Sequence, residues 1–198
     1  MSKHVLNTTL AALAVAAISA ASPVPAAAPN TGGGAVAPRT VGVTRVTLIV
    51  SDIEKSIEFY QRVGLVKAVD AAQTDTDQGG VFGSIDLPLT ADSKQSRIAY
   101  MVAPGGVGTI ALLSYDRPPL PSARGNLVGI GIGDVMVSVE VQDIQAVQGR
   151  LSQIGTRFQR TPVRFSQPGP DGATQTGQHL LAYDPDGHMV EVSQMDRR

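Results

Sequence analysis

The chain has 198 residues, with 16 basic and 17 acidic side chains and a formal net charge of −1. An apolar fraction of 42% is enough for one packed domain, while the balanced charge, with no dense Lys/Arg run, argues against a nucleic-acid partner, because phosphates are held by concentrated positive charge. The absence of cysteine excludes disulfides, thiolate metal sites, cysteine nucleophiles and lipid attachment through cysteine.

At the amino-terminal end, Lys3 and His4 precede an alanine-rich apolar run, Leu10 to Ala21, and small-residue cleavage sites at Ser19-Ala20-Ala21 and Ala26-Ala27-Ala28. Residues 1–21 therefore read as a secretory signal peptide, with cleavage as late as 28, and the run is short for a membrane span. A retained anchor or a cytosolic helix is the competing reading. The expectation is an exported protein, periplasmic or extracellular, with no stable membrane span after processing. Residues 22–40, rich in Pro, Ala and Gly, read as a flexible leader. The folded domain is expected over 41–198.

Within that domain the sequence repeats at an offset of 91 residues: Val50 and Val141, Asp52 and Asp143, Gly64 and Gly155 are equivalent positions. Each copy opens with alternating apolar residues, over 43–50 in the first and 135–141 in the second, where Val137, Val139 and Val141 share one face of a strand. An aspartate then caps a helix. Ile53, Ile57, Tyr60 and Val63 form its apolar stripe in the first copy; Ile144, Val147, Leu151 and Ile154 do so in the second. Gly64 and Gly155 are the expected helix stops. Further strands are expected over 65–69, 97–102 and 108–115, then over 178–183 and 188–194, the last two joined by the turn Asp184-Pro185-Asp186-Gly187. Residues 73–93 and 160–177 read as polar excursions, the second with an extended segment. Arg157, Arg160 and Arg164 form a mild basic run, either a solvated surface or an anion-receiving rim. The fold class is α+β, with paired βαβββ modules at about 43–116 and 134–194.

Four segments, TRVTLIVSDIEKSIEFYQRVGL, RIAYMVAPGGVGTIALLSY, DVMVSVEVQDIQAVQGRLSQIG and HLLAYDPDGHMVEVSQ, resemble successive parts of the vicinal-oxygen-chelate superfamily (glyoxalase, bleomycin resistance protein and extradiol dioxygenase). The resemblance covers Val41 to Gln194. It implies that the modules curl their sheets into an open cup, with a divalent metal held by His, Gln or Glu from the first and fourth strands of each module. At those positions this chain has Arg45, Ala111, Met136 and Glu191. Arginine cannot accept, alanine offers no donor and a thioether is a weak, soft ligand, so no cofactor is expected. A divalent metal could enter only through a displaced site, built from Glu191 with His179 or His188.

The same resemblance implies that Arg45, Thr47, Ala111, Leu113, Tyr115, Met136, Ser138, Met189, Glu191 and Ser193 line the cup. In one reading Arg45 and Glu191 pair with each other, replacing the metal. In another, Arg45 receives a ligand's oxygen and Glu191 is a general base. The functional expectation is a glyoxalase-like protein binding a small, partly apolar, anionic or carbonyl-bearing molecule in a metal-poor pocket. The alternative is a lyase, isomerase or dioxygenase using Glu191 as base or a displaced metal; whether the chain is an enzyme stays open. A third class is a partner-binding subunit or homodimer formed through sheet edges.

Overall fold

The computed structural model describes residues 43–74, 89–91, 93, 95–105, 108–115, 117–123, 129–169 and 172–196. The expected signal peptide and leader lie outside the described residues, as does most of the 73–93 excursion. Residues 41–198 belong to one compact unit.

The first module runs β1 (Val46–Ile49), α1 (Ile53–Val63), β2 (Val66–Thr74), β3 (Gln95–Val102) and β4 (Thr109–Tyr115). The second repeats it as β5 (Met136–Glu140), α2 (Ile144–Gln153), β6 (Phe158–Pro168), β7 (Thr174–Tyr183) and β8 (Met189–Met195). Each makes a four-stranded mixed sheet, in the orders β1-β4-β3-β2 and β5-β8-β7-β6. The opening strand of each pairs parallel with the closing one, Val46 opposite Ile110 and Met136 opposite Met189. The remaining neighbours are antiparallel.

The helices start where their caps dictate. Asp52 accepts the Lys55 amide at 3.1 Å and Asp143 the Ala146 amide at 2.9 Å. Gly64 ends α1 at φ 126°, a conformation that a side chain would strain. The faces of both helices packed against the sheets merge into one core: Leu48, Ile57, Val63, Met101 and Leu112 from the first module, with Ile144, Val147, Leu151, Leu180 and Val192 from the second. Fully burying a side chain of this type contributes about 1.5–3 kcal/mol, so this shared core is the main link between modules.

The modules therefore meet through α1 and α2, which pack together, and not by joining their sheets edge to edge. Arg62 Nη1 donates to Gln153 Oε1 at 3.1 Å, and Arg150 Nε to the Arg62 carbonyl at 2.9 Å. Arg62 and Gln153 are equivalent positions of the repeat, and contact between equivalents is the mark of an approximate two-fold relation. β1 and β5 are left as outer strands of their sheets, with Val46, Ile49 and Met136 exposed. Among the described residues no helix is long and apolar enough to cross a membrane.

Two strands are longer than their sequence suggests. β6 begins at Phe158, ahead of the expected excursion, and runs on into it to Pro168, while β2 continues to Thr74. Both are outer strands with register shifts, between Lys67 and Val69 and between Phe158 and Val163. A bulge breaks the two-residue alternation that would have revealed them.

Candidate functional site

The face of each sheet turned away from its helix is where the expected pocket residues fall, but the two faces differ in kind. In the first module Ala111, Leu113 and Tyr115 are buried with Ile98 in a second small core, packed by Ala71, Leu89, Tyr100 and Leu120. Tyr115 is 4% exposed and its hydroxyl has no hydrogen-bond partner; burial pushes its pKa up. Thr47 lies on β1, half-buried. This face is filled by its own side chains.

Arg45, just ahead of β1, donates through Nη1 to the Tyr100 hydroxyl at 3.0 Å, with its guanidinium carbon 5.5 Å from the Tyr100 ring centre. Among the described residues no ion pair or hydrogen bond joins Arg45 to Glu191. The reading in which these two charges pair is not what the structure has: Arg45 bonds Tyr100, whereas Glu191 bonds Ser138 and His179.

The second module keeps accessible polar groups on its corresponding face. Parallel pairing sets Ser138 of β5 beside Glu191 of β8, and Ser138 Oγ donates to Glu191 Oε2 at 2.9 Å. On β7, His179 is opposite Ser193, one diagonal step from Glu191. Its Nδ1 lies 3.2 Å from Glu191 Oε1. In the tautomer with its proton on Nδ1, the imidazole donates to Glu191 and presents the Nε2 lone pair. Met136, exposed, and Met189, buried, sit opposite each other on the same face, and the Phe165 ring lies 5.7 Å from that of His179. The result is a carboxylate and an imidazole, each about one quarter to one third exposed, among apolar neighbours.

His188 does not join them. It sits in the β7–β8 turn with Nδ1 2.9 Å from Asp184 Oδ2. Asp184 also accepts the amides of Asp186 and His188 and the Tyr60 hydroxyl. Its carboxylate is thus filled by turn-forming and helix-to-turn bonds. Sequence reasoning treated Tyr60 as core and Asp184 as a turn former; the bond joining them depends on how the modules dock, which no local pattern encodes.

The metal implied by the resemblance does not fit this donor set. Arg45 and Ala111 offer nothing from the first module, Met136 is an exposed thioether, and Glu191 and His179 are bonded to each other. Among the described residues no group of three or more His, Asp or Glu is gathered for a metal. His179 beside Glu191 is the nearest approach to a displaced site, and two donors from one sheet fall short of the three protein ligands that catalytic zinc usually has.

The sequence model of the Glyoxalase/Bleomycin resistance protein/Dioxygenase superfamily matches residues 42–192. Among solved structures, a glyoxalase family protein from Bacillus cereus superposes with a TM-score of 0.63 at 17% identity, covering 82% of this chain and 99% of that one. A superfamily member from Sphaerobacter thermophilus is 25% identical over 78% of this chain and 98% of its own, with a TM-score of 0.44. A domain from Frankia is 20% identical over 80% and 100%, at 0.45. None of the curated proteins matches.

Proposed function

Since the chain belongs to the glyoxalase/bleomycin resistance protein/dioxygenase superfamily, we propose that it binds a small, partly apolar, carbonyl-bearing molecule on the open face of its second module, without a metal. The observation that carries this reading is the grip of Ser138 and His179 on Glu191. A polar cluster fixed by cross-strand bonds and set among Met136, Met189 and Phe165 fits such a ligand: apolar surface for area, a few placed polar groups for orientation. A hydroxyl or enol on the ligand donates to Glu191 or to His179 Nε2.

The His179–Glu191 bond favours a second reading, a lyase or isomerase. Glu191 is already engaged by Ser138 and His179. The proton acceptor then becomes His179 Nε2, which takes a proton from the carbon next to a carbonyl and leaves an enolate, while Glu191 holds the imidazole that gains the charge. The amino-terminal segment supports export of this protein, and the outermost positions of β1 and β5 in their sheets support a homodimer.

The test is calorimetric titration of wild type and Glu191→Gln with small hydroxy-ketones, keto acids and simple carboxylates, in parallel with metal analysis of the purified protein. Saturable binding that Glu191→Gln weakens, with no stoichiometric metal, supports the proposal. One tightly held metal per chain, or binding indifferent to Glu191→Gln, overturns it. Deuterium exchange at the ligand's α-carbon separates catalysis from binding alone.

A further inference from the structure

A groove of about 500 Å³ opens where the modules meet, and neither Glu191, His179 nor Ser138 lines it. Its volume is of the order that small-molecule sites occupy. Phe59 from α1 and Ile154 from the end of α2 supply apolar wall; Arg157, Tyr183 and Asp186 supply the polar groups that concern us.

Two of these polar groups stand out, one with a buried oxygen and one exposed. Asp186 accepts the Ser51 amide through Oδ1 at 3.0 Å, but its Oδ2 is buried with no hydrogen-bond partner. Buried carboxylate oxygens are rarely left so, because desolvation is not offset unless a donor arrives. The neighbouring Asp184 cannot share a donor, as its oxygens are occupied by Tyr60 and the turn. Arg157 is the second. Its guanidinium carbon lies 3.7 Å from the centre of the Tyr183 ring, which holds the group in place, and among the described residues it makes no ion pair. The other charges lining the groove are matched locally, Lys55 by Asp52 and Glu58 by Arg62.

A buried acceptor with no donor among the described residues and an exposed, ring-stacked guanidinium with no ion pair among them line one groove. We propose that this groove binds a small zwitterion of the α-amino-acid or short-peptide class, its ammonium donating to Asp186 Oδ2 and its carboxylate held by Arg157. The planar fork of arginine suits a carboxylate. An ammonium suits a lone carboxylate oxygen better than a metal ion does, since among the described residues no group of three potential ligands is gathered there. The Arg157 run is then an anion-receiving rim at this one residue.

The test titrates the full chain with alanine, alanylalanine and trialanine, which span three separations of the charged ends, following the backbone amides of residues 156, 157, 184, 186 and 187 by NMR. The expected result is saturable shifts at both segments for at least one length. N-acetylation or C-amidation of that ligand weakens binding about tenfold or more, as loss of one charge-assisted hydrogen bond implies. Arg157→Gln and Asp186→Asn weaken the unblocked ligand similarly. Should Asp186→Asn fail to fold, Arg157→Gln and the blocked ligands decide the matter. Absence of saturable shifts with all three lengths, or equal binding by blocked and unblocked forms, overturns the proposal.

Discussion

The hydroxyl of Tyr60, on the first helix, donates to a carboxylate oxygen of Asp184 in the turn between the last two strands, 3.2 Å away, and both residues are buried. The bond crosses from one module to the other. Burial is the main reason the Tyr60 hydroxyl resists ionisation, and the negative charge of Asp184 adds to it. Tyr60 thus ties the docking of the helices to the turn that carries His188 and Asp186.

Tyr60→Phe should cost about 1–3 kcal/mol, the usual cost of leaving a buried charged acceptor one donor short, measured by urea unfolding at neutral pH. The folded pKa of Tyr60 is raised, so its contribution is complete below the unfolded value of about 10 and is lost as pH rises above it. The stability gap between wild type and Tyr60→Phe should therefore narrow on the alkaline side, and a gap that stays constant there would contradict the bond.

Glu191→Gln and His179→Gln should each weaken the carbonyl ligand, and the double variant should lose less than the sum of the two. Residues sharing one hydrogen bond are coupled by about 0.5–3 kcal/mol. Additive losses in a titration series would mean that the two side chains act separately. If the proton-transfer reading holds, His179→Gln abolishes α-carbon deuterium exchange while Ser138→Ala only slows it.

Asp70 on β2 is held by Arg97 on β3 through two hydrogen bonds, at 2.7 and 2.8 Å, and by Lys67 at 2.6 Å. The Arg97 bonds, ahead of the Lys67 bond, keep its carboxyl well below the usual range. Its stabilising effect is present above the unfolded value near about 4 and is lost as pH falls towards the depressed folded value. For a partly exposed network this amounts to about 1 kcal/mol or less. Asp70→Asn should remove that amount at neutral pH and little at strongly acidic pH, read from unfolding midpoints across the range.

Gly177 lies where β7 crosses close to its neighbours. A methyl group there would sit 2.3 Å from the Gln194 carbonyl oxygen and 3.0 Å from the Phe165 ring. Gly177→Ala should destabilise by about 1–3 kcal/mol or more, as overpacking does, with the loss visible in thermal unfolding. Gly149, with nothing near it, lies inside α2, where alanine should be neutral or stabilising.

Elements whose two faces differ were legible from sequence. Val137, Val139 and Val141 alternate with polar neighbours because one face of β5 packs on α2, and Ile144, Val147 and Leu151 recur at helical spacing for the same reason. The repeat between them and the first module gave the paired architecture. Phe158 to Pro168 did not read as one long strand, since its side chains are mostly exposed and its register slips. At the site, Glu191 was found because it alone kept a ligand-type residue at a matching position. His179 was recognised as a candidate, but its reach to Glu191 depends on the register between β7 and β8. The reading in which Arg45 pairs with Glu191 failed because Arg45 bonds Tyr100, whereas Glu191 bonds Ser138 and His179. Asp186 read singly as a turn former and Arg157 as solvated surface or rim; their common groove is a product of module docking.

The parallel pairing of first and last strands also sets an order of assembly. Val46 cannot find Ile110 until the chain has been made through β4, and Met136 waits likewise for Met189. Contacts so distant along the chain are slow to form and leave their strands exposed meanwhile. During synthesis the first module is complete once Tyr115 has emerged, well before the second has its closing strand. The nascent protein therefore matures in two stages. Until α2 has emerged, the face of α1 that packs on it lacks that cover, and until β8 arrives α2 lacks part of its own; this is the interval in which a chaperone has most to bind.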